Sequence, residues 1–178
     1  MPSYVAFLRA INLGARRKFP KDAIRASAER AGCTNVETYI NTGNVRLTTS
    51  LRSRAKVEAL LESAFLADRG FEVPTIVYTC DELGRIVADI EEIGATRDDL
   101  ERHFLLMLKQ SPPDDAVAGV EALSTPTNTT VVRNRVAHLL LGPGYERGGV
   151  DPLGIERRLG VATSRNHTVV RTIAGRWC

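Results

Sequence analysis

A chain of 178 residues with 43% hydrophobic and 25% charged side chains can bury a core without metal or disulfide staples. A net charge of +3 gives no strong pull toward nucleic acid or a membrane surface, and no apolar run reaches the length of a bilayer span. The opening Met1-Pro2-Ser3-Tyr4 enters an apolar run with no basic secretory segment, so a cytoplasmic protein with no membrane partner is expected.

In chain order, residues 4–11 form an apolar run compact enough for a buried strand. Pro20 then suits the first turn of a helix that runs to Ala31 and stops at Gly32. Residues 36–40 and 45–49 are strand-like, and Asn41-Thr42-Gly43-Asn44 between them tolerates positive φ, which predicts a hairpin. Val57, Leu60, Leu61, Ala64 and Phe65 recur at helical spacing up to a stop at Gly70, and residues 73–79 are β-branched and aromatic. A capping box of Thr79 and Glu82 starts a helix over 81–93 with Leu83, Ile86, Val87 and Ile90 on one face.

The same order then returns. Residues 103–108 predict a strand, Pro112 and Pro113 introduce a helix to Leu123, and 129–133 with 136–141 predict a second hairpin around Asn134-Arg135. After a Gly-rich connection over 142–149, Asp151 reads as an N-cap with Pro152 at the first helical position and Gly160 as the stop. Val169, Val170, Ile173 and Trp177 form the stripe of an extra C-terminal helix, with Thr163 or Ser164 as its cap. The expectation is an α+β chain of two ferredoxin-like lobes of βαββαβ type with antiparallel sheets. They comprise residues 1–80 and 102–178 and are joined by a helix within 81–101.

Cys33, Cys80 and Cys178 are odd in number, scattered, and accompanied by no Cys-x-x-Cys or nearby His, which predicts free thiols and no metal site. No cofactor signature is present: the glycines at 142–149 lack both the Gly-Lys-Ser/Thr ending and the Rossmann spacing. His103 and His138 fall inside apolar strands and read as core or edge residues. Ser164 lacks a nucleophile elbow, so no catalytic set is identified.

Three segments, Arg9-Ala10-Ile11-Asn12-Leu13-Gly14, Thr38-Tyr39-Ile40-Asn41-Thr42-Gly43-Asn44-Val45 and Gly160-Val161-Ala162-Thr163-Ser164-Arg165-Asn166, resemble the recurring signatures of domain-of-unknown-function family 1697 (DUF1697). The resemblance implies a bacterial cytoplasmic protein with a two-lobed ferredoxin-like fold, and no established reaction. The chain departs from the family pattern at Ala10 and Ala15, where glycine is favoured, and at His167, where a tryptophan is usual. A ligand that stacks on that ring would bind this chain weakly or be replaced by another.

The site expected from these residues is an anion pocket of Ser164, Arg165, Asn166 and His167 at a helix N-terminus, completed by Arg9 and Asn12 from the other lobe. Its ligand would be a small phosphate- or carboxylate-bearing molecule at the junction of the lobes. The competing reading has Arg165 paired with Asp151 or Glu156 and Asn166 bonded to backbone. The basic cluster Arg9, Arg16, Arg17, Lys18 and Lys21 reads as a solvated loop rather than a binding patch; nucleic-acid binding is the second reading, although the strand over 45–49 carries no aromatic platform, and an interaction module with no small ligand is the third. Edge strands of two small sheets leave the oligomeric state open.

Overall fold

The computed structural model describes residues 1–14, 16–144 and 152–178. The chain divides into two compact units, Met1–Glu82 with Trp177, and Leu83–Arg176 with Cys178.

The first unit runs β1 (Ser3–Leu8), α1 (Lys21–Arg30), β2 (Thr34–Tyr39), β3 (Asn44–Thr48), α2 (Arg54–Arg69) and β4 (Thr75–Tyr78). Its sheet has the order β2-β3-β1-β4 with every neighbouring pair antiparallel, the ferredoxin-like arrangement. Side chains alternate across a strand, so Tyr4, Ala6 and Leu8 face the helices, where they pack with Ile24 and Ala28 of α1 and Val57, Leu61 and Phe65 of α2. The opposite face is buried as well: Val5, Phe7, Ile76 and Tyr78 are each at most 1% exposed, and Phe7 meets Tyr78 edge to face at 5.9 Å. Burial on both faces is why β1 reads as an unbroken apolar run. The residues beyond Leu8, expected to continue this strand to Ile11, leave it because Ala10 turns left-handed at φ 57°.

Two glutamates one turn apart on α2 satisfy the outer backbone of β4: Glu58 accepts from the Val77 amide at 3.0 Å and Glu62 from the Thr75 amide at 2.8 Å. The Thr79–Glu82 capping box forms as expected, with Glu82 N–H donating to Thr79 Oγ1 at 3.2 Å and Thr79 N–H to Glu82 Oε2 at 2.8 Å. It opens α3 (Cys80–Gly94).

The second unit continues with β5 (Arg102–Leu108), α4 (Asp114–Glu121), β6 (Asn128–Arg133), β7 (Val136–Leu141), α5 (Pro152–Leu159), β8 (Ala162–Asn166) and α6 (His167–Trp177). The sheet order β6-β7-β5-β8 repeats that of the first unit, again antiparallel throughout. Leu106, Leu108, Ala137, Leu139 and Ala162 pack with Val120 of α4 and with Ile155 and Leu159 of α5. Glu121 and Ser124 take the Val132 and Thr130 amides of β6 at 2.7 and 3.0 Å, as Glu58 and Glu62 do for β4. Arg171 of α6 pairs with Glu91 of α3 at 2.9 Å.

Two sequence expectations change. The final strand, β8, occupies the stretch expected to lead directly into the last helix, so Thr163 and Ser164 are strand residues and the cap of α6 is Asn166. Its side chain accepts from Thr168 N–H at 2.9 Å. Cys33 is free and buried as expected, whereas Cys80 and Cys178 are disulfide-bonded. Separation along a chain sets no limit on pairing in space. The Asp151 cap and most of the Gly-rich connection lie outside the described residues, as does Ala15.

Gly43 is the glycine that the first unit most needs. It has φ +77°, and an added Cβ would lie 2.7 Å from Leu8 Cβ and 2.8 Å from Ile11 Cδ1. Gly70, which ends α2 at φ +71°, has open space around it. Gly70→Ala therefore carries only the left-handed penalty of about 1–2 kcal/mol, and Gly43→Ala carries that plus a core clash. Urea denaturation of the two variants should rank Gly43→Ala as clearly the less stable; equal losses would show that the Leu8–Ile11 contact yields freely.

Candidate functional site

The first two recurring segments meet in the first unit. Leu8 N–H donates to the Gly43 carbonyl at 2.7 Å, and Asn12 Nδ2 donates to the Asn41 carbonyl at 2.7 Å. Asn12 also holds its own loop closed. Its Oδ1 accepts from Phe19 N–H at 2.9 Å, its Nδ2 reaches the Phe19 carbonyl at 3.3 Å, and its backbone N–H donates to the Arg17 carbonyl at 2.7 Å. Arg17 adds a second tie, with Nε on the Ala10 carbonyl, one Nη on the Glu72 carbonyl, both at 2.6 Å, and its guanidinium over the Phe71 ring at 4.8 Å. Arg9 is half-buried, with its N–H on the Pro74 carbonyl at 2.9 Å.

These bonds frame a hollow of about 340 Å³ lined by Asn12, Gly14, Lys18, Pro20 and Asn41. Lys18 is exposed and makes no ion pair among the described residues. Pro20 stands at the N-cap of α1 with no side-chain cap bond, so first-turn donors lie beside the hollow. Of the five non-glycine residues with positive φ among the described residues, Asn12 (56°) lines the hollow, Ile40 (50°) immediately precedes the lining residue Asn41, and Ala10 (57°) stands two residues before Asn12. Ile40 is the β-branched one, a costly choice for this region of backbone space, and strain of this kind gathers at functional sites. The sequence reading treated Lys18 as part of a solvated run and the 41–44 turn as a steric requirement. Only the fold places both beside Asn12.

The second unit holds the other expected site residues in a different setting. Arg165 is 8% exposed; its Nη1 donates to Thr163 Oγ1 at 2.9 Å and to the Ser164 carbonyl at 2.7 Å, and burial lowers its pKa to about 10. Ser164 is exposed on the alternate side of β8. Asn166 Oδ1 serves as the α6 cap and accepts from Thr168 Oγ1 at 2.7 Å as well. His167 Nδ1 donates to the His103 carbonyl at 3.1 Å, and its ring stacks on that of His103 with centroids 5.2 Å apart.

The three histidines of the chain thus form one cluster. His103 Nε2 and His138 Nδ1 share a hydrogen bond of 3.0 Å, and His138 Nε2 is buried with no hydrogen-bond partner among the described residues. Sequence reasoning placed His103 and His138 in the core, where they are, but nothing in the spacing signalled that His167 would join them. No group of His, Cys, Asp and Glu among the described residues has the geometry to hold a metal ion. No helix among them is long and apolar enough to cross a membrane.

A family model described as "Protein of unknown function (DUF1697)" matches residues 1–138. The chain belongs to this family. The match takes in the first two signature segments of DUF1697 and ends before the third, so the hollow lies inside the matched region and Ser164–His167 lie beyond it. Among solved structures, the DUF1697 chain is similar to a conserved bacterial protein from Streptococcus pneumoniae. The TM-score is 0.78 and the identity 22%, over 99% of this chain and 98% of that one, a likeness of fold. No curated protein matches the chain.

Burial lowers the pKa of His103 to about 4, helped by His167, and that of His138 to about 3, helped by His103 and Arg133. Unfolded imidazoles take up protons near pH 6.5, so below that pH the unfolded chain binds more protons than the folded one. Stability is therefore full above pH 6.5 and falls as the pH drops toward 4, by up to about 1.4 kcal/mol per pH unit for each ring. Urea midpoints measured from pH 7.5 down to 5 should show this slope, and His138→Leu should reduce it. A flat profile would mean that the cluster opens to solvent.

Proposed function

We propose that this DUF1697 protein binds a small phosphate- or carboxylate-bearing ligand, and that the hollow of the first unit holds it. The observation that carries the reading is the convergence of two recurring segments, through Asn12 and Asn41, on a hollow whose lining includes a cation, Lys18, that makes no ion pair among the described residues. The left-handed Asn12 and Gly14 in the lining, and a start of α1 at Pro20 with no side-chain cap bond, agree with an anion site. Within the site the residues divide in role. Asn12 spends its amide on the main chain and positions the loop, Lys18 supplies charge, and Arg9 stands at the exit of β1 behind the loop. In the second unit, Asn166 and His167 engage the α6 cap and the His103 carbonyl, which supports an architectural part for that segment.

A thermal-shift screen of phosphate and carboxylate metabolites tests the reading. A true ligand at a hundredfold excess over its Kd adds about 2.7 kcal/mol, which is several degrees in Tm. Lys18→Ala should leave the unliganded Tm unchanged and abolish the shift. Asn12→Ala should itself cost about 1–3 kcal/mol, because it orphans the amide of fully buried Phe19. If no anion raises Tm, or Lys18→Ala retains the full shift, the hollow is not the site. A parallel RNA titration at two salt concentrations separates the nucleic-acid alternative, whose affinity falls steeply with salt.

A further inference from the structure

We infer that the hollow of the first unit continues along the Lys21 and Arg25 face of α1 as one cationic track, and that its ligand carries two or more linked phosphates rather than a single anionic group. The inference rests on the reading of the hollow as an anion site and adds the class of ligand. Residues 9–25 hold Arg9, Arg16, Arg17, Lys18, Lys21 and Arg25 against one acid, Asp22. Arg17 is engaged by main-chain carbonyls, whereas Arg16, Lys18, Lys21 and Arg25 are exposed and make no ion pair among the described residues. Elsewhere arginines meet acids, as Arg30 does Asp68, Arg54 Glu82, Arg97 Asp99 and Arg171 Glu91. Lys18 lines the hollow together with Pro20, and Lys21 follows Pro20 directly. Residues four apart on a helix share a face and lean toward its N-terminus, so Lys21 and Arg25 extend from the hollow along α1. Glu29, one turn further on, closes that face.

The second unit is an internal control for what the fold itself requires. Leu108 N–H donates to the Arg135 carbonyl at 2.8 Å where Leu8 N–H donates to Gly43. α4 starts after Pro113 (φ −64°, ψ 150°) as α1 does after Pro20 (φ −67°, ψ 151°), both with no side-chain cap bond. The connection from strand to proline is residues 109–112 there, with Lys109 its only cation, and α4 then opens on Asp114 and Asp115. Acids suit the positive end of a helix dipole, and cations oppose it. The first unit uses residues 9–19 for the same connection, loads it with arginine and lysine, and puts Lys21 at the first position of α1. Neither the strand order nor the helix asks for that charge, and a bound polyanion relieves it. A single phosphate in the hollow is met by Lys18, and a second linked phosphate brings Lys21 and Arg25 into use.

Calorimetric titration of the whole chain with inorganic phosphate, pyrophosphate and tripolyphosphate at physiological salt tests this beside the thermal-shift measurement. Pyrophosphate should bind about tenfold or more tightly than phosphate, the effect of one further charge-assisted hydrogen bond. Lys21→Ala and Arg25→Ala should each remove most of that preference and leave phosphate affinity unchanged, while Lys18→Ala should abolish binding of both. Lys56→Ala, which removes an exposed lysine of α2 that makes no ion pair among the described residues, should alter neither. If pyrophosphate binds no tighter than phosphate, or Lys56→Ala costs as much as Lys21→Ala, the track is overturned while the reading of the hollow stands. If RNA alone binds, with affinity that falls steeply with salt, or no probe binds at all, this inference and the reading beneath it both fail.

Discussion

One carboxamide organises the first unit around its hollow. Asn12 reaches forward to Phe19 and across to Asn41, so a loop that follows β1 and a turn that joins β2 to β3 are held as one piece. Asparagine suits the position twice over: it tolerates a left-handed backbone better than most residues, and it offers donors and an acceptor on one short stem. Gly43 completes the arrangement from the other side, since its missing side chain lets Leu8 and Ile11 close against the turn. Neither residue has chemistry of its own to perform. Their work is to keep Gly14, Lys18 and Asn41 around one volume of solvent.

Much of this architecture was legible because it rests on local rules. Helix stops at Gly32 and Gly70, the hairpin about Asn41–Asn44 and the Thr79–Glu82 box each follow from a few adjacent residues, and their order implies the twice-repeated βαββαβ plan. β8 was not legible, since Ala-Thr-Ser-Arg-Asn has neither apolar alternation nor β-branched density. That segment is a strand because β5 beside it has a free edge to fill and buries Ala162, Thr163 and Arg165 against it. The hollow was half legible: the asparagines and the basic run stood out, but proximity of Lys18, Asn12 and Asn41 is a product of tertiary folding that no spacing in the sequence encodes.

The second unit shows what a polar interior requires. His103, His138 and Arg165 share a sheet on which Leu105, Met107 and Leu140 are also buried, and each polar group draws on a neighbour: a ring nitrogen, a threonine hydroxyl, a main-chain carbonyl. The cost of burial appears as imidazoles held neutral far below their ordinary range. A cluster so arranged favours one register of β5, β7 and β8, because a slip by one residue would turn the histidines to the helix-facing side among Leu106, Leu139 and Ile155.

Side chains on α2, at the end of α4 and just beyond it also guard one border of each sheet. Glu58 and Glu62 occupy the outward amides of β4, and Glu121 and Ser124 those of β6. A foreign strand arriving at either border finds those donors already engaged and would have to displace a side chain for every one of these amides it paired. Extension of the sheets by recruited polypeptide is thereby confined to the sides of β2 and β8, which gives each unit a direction in which it resists fibre-like growth.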